Sequence, residues 1–262
     1  MAKSVDKLAC GINMDSLSSI HGTWSFMIGE TFRLGDCEFK TEALNHARKI
    51  MKPVRRNIDI IITILLQKGY RFAFPENVLV SPDPAIWEWI GEYENKGIYL
   101  PLSLQAWLSD VGCVNLMGSH PEWEKPAYIF KDGPQTNNVW YTDPLVVELT
   151  NDYVDYFYEE WEQMVEEKGI HEYRPFRVNI APDHIHKANI SGGPPFQVLA
   201  NQPAVDAFLI NERHCTSFVG YVSIAMAWAC FPGFYYIDDA PKNIVSDMLA
   251  QLDFKLSQFE LF

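Results

Sequence analysis

The chain has 262 residues, room for one large domain or two small ones, and its 48% hydrophobic and 21% charged content excludes a disordered protein. A formal net charge of −13 opposes binding to a nucleic-acid backbone, where affinity rests on Lys and Arg, and favours steering of a basic partner. The five cysteines, at positions 10, 37, 113, 215 and 230, contain no Cys-x-x-Cys spacing, so neither a zinc knuckle nor a redox pair is indicated.

No apolar signal segment follows Met1, and the run Ile58 to Leu66 is too short to span a bilayer, so a cytoplasmic protein without membrane contact is expected. Residues 1–40 lack a helical period. Trp24, Phe26, Ile28, Phe32, Leu34 and Phe39 among Gly22, Gly29 and Gly35 predict an N-terminal extension with short strands, and Met1 to Ser19 a poorly ordered start.

From Thr41, read as an N-cap, Leu44, Ala47, Met51, Val54, Ile58, Ile61, Ile62 and Leu65 recur at helical steps until Gly69. Pro53 inside this helix predicts a kink or break near Met51 and Lys52. Lys49, Lys52, Arg55 and Arg56 are read as its polar face, paired with acidic neighbours. Asp83 and Pro84 open a helix carrying Ile86, Trp87, Ile90 and Tyr93, and Pro101 opens another with Leu104, Trp107, Leu108 and Val111, which Gly112 stops. A buried strand from Cys113 to Met117 completes this helical hairpin. Further strands are predicted at Tyr128–Phe130, Val139–Tyr141 and Leu145–Leu149, with turns at Gly133 and Asn137.

A helix from Asn151 to Lys168 follows, in which residues 152–167 hold seven Asp or Glu and no Lys or Arg. Asp155, Glu159, Glu162 and Glu166 share one face of it at helical spacing. That face is either a solvated surface or an acidic partner-binding one. A strand over Phe176–Ala181, extended chain at Phe196–Leu199, a Thr216-capped helix through Ala229 and a last helix from Pro241 complete the chain.

The loop from Pro182 to Pro195 is the main candidate for chemistry. His184 and His186, two apart on extended backbone, would point to one side and with Asp183 could ligate a metal. Asn189 stands where a further acidic ligand would be wanted. Lys187 near Ser191, Gly192 and Gly193 invites a phosphate reading, but two prolines follow where a helix is required. Alternatively His184, His186 and Asn189 bond to backbone and fix a Gly-Pro turn, or His184, His186, Lys187 and Asn189 form a partner contact. His214 and Cys215 are adjacent, an improbable nucleophile and base, and Cys215 and Cys230 read as small core residues.

Glu92, Glu94, Gly97, Leu100, Pro101, Trp107, Leu108, Gly112 and Val114, with the segment Asp143 to Glu148, form a pattern that resembles the SMI1/KNR4 (SUKH) superfamily over residues 83–150. The resemblance implies an α+β fold, a central mainly antiparallel sheet flanked by helices, here a single SUKH-like domain over residues 41–262 with an elaborated C-terminal half. It further implies a non-enzymatic, cofactor-free protein-binding module like the immunity proteins that bind and neutralise a cognate toxin, and it transfers no catalytic residue. A metal-assisted enzyme using Asp183, His184 and His186 is the alternative expectation.

Overall fold

The computed structural model describes residues 23–121, 129–130, 142–168, 175–236 and 242–252. The expected strand at Val139–Tyr141, the turns at Gly133 and Asn137, the start at Met1–Ser19 and Pro241 lie outside them. Ile129 and Phe130 are described and are not in a strand.

The longest element is α2, Cys37–Gln67, which begins earlier than the apolar period suggests. Asp36 explains the early start, because its carboxylate accepts from the Glu38 and Phe39 N–H groups, two of the donors a helix start leaves unpaired. Thr41, expected as the cap, instead donates its hydroxyl to the Cys37 carbonyl inside the helix. Pro53 does not divide α2. A mid-helix proline costs about 3 kcal/mol. Burial of Ala47, Met51, Val54, Ile58, Ile61 and Leu65, all at 0% exposure, offsets that cost along the same face. The helix ends at Lys68, where the Tyr70 N–H reaches the Leu65 carbonyl and Gly69, at φ +81°, allows the chain to reverse.

A helix over residues 23–29, α1, and a 3-10 turn at Thr31–Gly35 precede α2, so residues 23–35 are helical and not the short strands expected. Trp24, Met27 and Leu34 are buried in the same core as the rest, while Phe26, Ile28 and Phe32 stay exposed. The apolar residues here are spaced for one contact stripe, which alternation in the sequence disguises.

The hairpin forms as α3, Ile86–Asn95, and α4, Leu102–Asp110. Asp83 and Pro84 make a turn before α3, with the Asp83 carboxylate accepting from the Ala85 N–H, and Pro101 is the N-cap of α4. α4 is buried all round and packs along α2. Arg48 grips Asp110 through two N–H groups at 2.7 and 3.2 Å, and Arg55 donates to the Val111 carbonyl at the end of α4 and pairs with Asp59. Gly112 then turns at φ +90°; a Cβ there would lie 2.2 Å from the Val80 carbonyl oxygen, so only glycine lets the chain pass that strand.

The strands are short and antiparallel. β1 (Arg71–Phe72) pairs with β4 (Gly118–Ser119); β3 (Cys113–Asn115) lies between β2 (Leu79–Val80) and β5 (Val146–Val147); β6 (Arg177–Ala181) pairs with β7 (Phe196–Leu199). The Glu148 N–H donates to the Ile180 carbonyl at 2.9 Å, carrying the pairing from β5 to β6, and Gln197 exchanges two hydrogen bonds with Ile210 beyond β7. The result is an α+β fold in which a broken antiparallel sheet is covered by α2, α4, α5 (Asn151–Lys168), α6 (Phe218–Ala227) and α7 (Lys242–Ala250). One hydrophobic core runs from Trp24 to Leu252. α6 is capped by the Ser217 hydroxyl, which accepts from the Gly220 N–H, one residue after the expected Thr216.

Trp107 sits at the centre of this core at 0% exposure, edge-on to Phe218 of α6 at 5.7 Å. Trp107→Ala should cost about 3–5 kcal/mol. Urea denaturation checks this, and an unchanged midpoint would remove α4 from its central place.

Candidate functional site

The loop between β6 and β7 is a turn rather than extended chain, with a 3-10 segment at His186–Ala188. Both His186 ring nitrogens are taken up inside the turn, and Asp183, His184 and His186 do not bring ligand atoms together as a metal site among the described residues, which corrects the expectation of a metal pair built from them. Asp183 is nearly buried. One of its oxygens accepts from the Ile185 N–H at 2.8 Å, the other bonds the His186 Nδ1, and His186 Nε2 accepts from the Gly192 N–H at 3.3 Å. Gly192 packs so closely that a Cβ would lie 2.5 Å from the Asp183 carboxylate. Burial would raise the Asp183 carboxyl, but the hydrogen bonds from His186 and from the backbone outweigh it and hold it below the ordinary carboxylate range. Asn189, in the left-handed region at φ +63°, donates to the Ile129 carbonyl at 2.7 Å.

Lys187 points the opposite way and is fully buried, so it is not a surface contact in this structure. Its ammonium meets Asp143 at 2.6 Å, the Tyr221 hydroxyl at 3.1 Å and the face of Phe196 with the ring centre 4.6 Å away. Those three directions match the three donors of an ammonium group. Burial pulls its pKa below the ordinary lysine value, and the Asp143 charge opposes the shift. Burial, with the same Asp143 charge, pushes the Tyr221 phenol well up.

Around this pair lie Glu212, Arg213, His214 and His184. The Arg213 Nε is 4.0 Å from the second Asp143 oxygen, and its guanidinium covers the Tyr236 ring at 4.8 Å. Glu212 is buried and bonds both the Nδ1 and the backbone N–H of His214, whose Nε2 faces the Pro232 carbonyl at 3.3 Å. Burial lowers His184, with the Arg213 charge adding to the effect and those of Asp143 and Asp183 opposing it.

The backbone is bent to aim these groups inward. Asp143 has φ +48°, Asn189 follows Lys187 by two residues, Asn211 at φ +67° precedes Glu212, and Cys215 at φ +54° follows His214. Non-glycine residues rarely adopt such angles, and they persist where surrounding contacts over-determine them. Asp143 itself is clamped by the Thr142 carbonyl, which accepts from Gly233 N–H, and by the Leu145 N–H, which donates to the Cys230 carbonyl. Cys230 is buried, whereas Cys215 is exposed and not the core residue expected.

Asp143, Glu212 and His214 bring potential ligand atoms within 4.8 Å of one another, a donor set a divalent metal accepts. The electrostatics do not fit one. Both carboxylates are already bound to Lys187 and His214, and the Lys187 and Arg213 cations would lie against the metal's own charge. The cluster is a charge-compensated structural network.

The acidic residues lie on α5 as the period predicts. Asp155 pairs with Lys96 at 3.4 Å, while Glu159, Glu162 and Glu166 are exposed with no ion-pair partner among the described residues. Asp143, Glu212, Arg213 and Tyr221 were not anticipated as a group. The available hint was a charged triplet, Glu212 to His214, beside apolar segments. Comparison with protein-family models, characterised proteins and solved structures finds no match.

Two outcomes test the network. Lys187→Met, which strands Asp143 uncompensated, should cost about 3–5 kcal/mol by urea denaturation, and adding Asp143→Asn should recover part of it. A cost no larger than that of a surface substitution would contradict the buried pairing. The second concerns pH. A histidine whose folded pKa lies below its unfolded one leaves the unfolded chain binding more protons between the two values. Its contribution is present above the unfolded value of about 6.5 and is lost as pH falls through it. Thermal midpoints of wild type should therefore drop on acidification from pH about 7 to 5 more steeply than those of His184→Asn; parallel curves would contradict this.

Proposed function

We propose that this chain is a protein-binding module of the SUKH kind, an immunity-type protein that engages a basic partner such as a toxin acting on nucleic acid. The observation that carries the reading is the unpaired acidic face of α5, where Glu159, Glu162 and Glu166 remain open to solvent. The buried Lys187–Asp143 charges are matched to each other, whereas this exposed face keeps a surplus of acid among the described residues, within a chain of net charge −13. A surface of one sign accelerates encounter with a surface of the opposite sign.

The loop from Pro182 to Pro195 supports that reading as a fixed element rather than a reactive one, since Asp183, His186 and Lys187 are spent on its own conformation. No helix among the described residues is long and apolar enough to cross a membrane.

The test is kinetic. Replacing Glu159, Glu162 and Glu166 by Gln should leave the denaturation midpoint within about 0.5 kcal/mol of wild type, because the side chains are exposed. Association with the partner isolated from the source cell should slow on the order of tenfold at low salt and lose most of its dependence on ionic strength. An unchanged on-rate at low salt would assign this face to solvation alone.

A further inference from the structure

Beside the N-terminal end of α5 an open groove of about 530 Å³ runs between β6 and the Gly192 turn, with Glu148, Tyr153, Asn179, His186 and Pro195 on its walls. We propose that this groove is a socket for an arginine side chain of the protein partner, with Glu148 as counter-charge and Tyr153 as the stacking face. The inference rests on the reading of the chain as a partner-binding module and names the side chain it takes.

Three observations carry it. First, Glu148 is fixed in place, its backbone N–H held by the Ile180 carbonyl at 2.9 Å and one carboxylate oxygen held by the Asn115 amide at 3.0 Å. The second carboxylate oxygen has no hydrogen bond, and no cation pairs with Glu148 among the described residues. Asp110, Glu94 and Asp183 each hold a basic partner, and Asp206 accepts from the Ser103 hydroxyl and the Ala207 and Val219 N–H groups on both its oxygens, whereas Glu148 has one oxygen held and one open. Burial pushes the Glu148 carboxyl above its ordinary value, outweighing the Asn115 hydrogen bond, as expected for an uncompensated charge.

Second, Tyr153 presents an aromatic face at 45% exposure, while its ring is steadied edge-on against Phe157 at 4.7 Å. A carboxylate with one free oxygen beside an exposed ring suits a planar guanidinium, which hydrogen-bonds and stacks together; the compact, strongly hydrated ammonium of lysine stacks less well. Third, the remaining walls do not compete. The Asn179 amide oxygen already accepts from Gln197 at 2.6 Å, and the His186 ring directs its Nδ1 to Asp183 and its Nε2 to the Gly192 N–H. The groove opens at the N-terminal end of α5 in a chain of net charge −13, so the overall negative field that draws a basic partner also favours an arginine at Glu148.

The probe is Nα-acetyl-arginine amide, compared with Nα-acetyl-citrulline amide, its uncharged near-isostere, in ¹H–¹⁵N titrations of the full chain. Saturable shifts are expected at Thr150, Tyr153, Asn179 and Gly193 with the arginine compound and not with citrulline. Glu148→Gln, which keeps the acceptor for Asn115, should weaken binding at least about tenfold, the loss of one charge-assisted contact. Tyr153→Ala, an exposed change, should weaken it severalfold with an unchanged thermal midpoint. Equal response to both compounds, shifts along α5 that never saturate, or a Glu148→Gln protein that binds as wild type would each overturn the socket. Because the probe carries no partner, the Gln triple variant of α5 separates the two readings. Localised, saturable shifts persisting in that variant support the socket even where the acidic face fails its kinetic test. Their absence from wild type overturns the socket and leaves the acidic face standing.

Discussion

An ammonium group enclosed by protein must obtain from side chains everything that water would have given it. Lys187 obtains a charge from Asp143, a hydroxyl from Tyr221 and an aromatic face from Phe196. These belong to four segments far apart in the chain: the stretch before β5, the loop after β6, β7 and α6. Removing any one leaves an uncompensated polar group in the core, so the four are held in one arrangement. The loop from Pro182 to Pro195 is positioned by this contact at its middle. The Asp183, His186 and Gly192 bonds then close it on the outer side. The groove wall above Glu148 follows from that closure.

A buried ion pair gives little net stability, because desolvation consumes most of the attraction. What such a pair can supply is selection among packings. The sheet is made of two- to five-residue strands, too short for backbone pairing alone to fix register. Misplacing β6 against β5 by one residue would turn Ile180 out of the core and carry the loop with it. The backbone angles at Asp143, Asn189, Asn211 and Cys215 belong to the same arrangement, falling at or within two residues of Asp143, Lys187, Glu212 and His214.

The molecule therefore treats charge in two ways. Inside, Lys187 pairs with Asp143 and Glu212 with His214 away from solvent, with the half-buried Arg213 guanidinium 4.0 Å from the second Asp143 oxygen. Outside, Glu159, Glu162 and Glu166 on α5 and one oxygen of Glu148 at the groove have no partner among the described residues. Under the proposed function, long-range attraction along α5 and short-range capture at Glu148 would be complementary parts of recognising a basic surface, both drawing on the chain's negative field.

The sequence by itself determined the helices α2 to α5, the glycine stops at Gly69 and Gly112, the burial of Trp107 and the acidic stripe on α5. All of these depend on spacing within one segment and on propensities that act over a few residues. It misjudged residues 23–35, where apolar residues between glycines read as strands but form a helix and a 3-10 turn against the core. The start of α2 was decided by Asp36, a single capping side chain outside the apolar period. The candidate site was legible only as a loop of unusual composition. Which way His184, His186 and Lys187 point depends on Asp143, Glu212 and Tyr221, residues distant in sequence, and on a turn that breaks the two-residue alternation. Only tertiary structure decided that Lys187 is interior and Glu148 lines an open groove, because burial and pairing of a charge are properties of the neighbours the fold assembles around it.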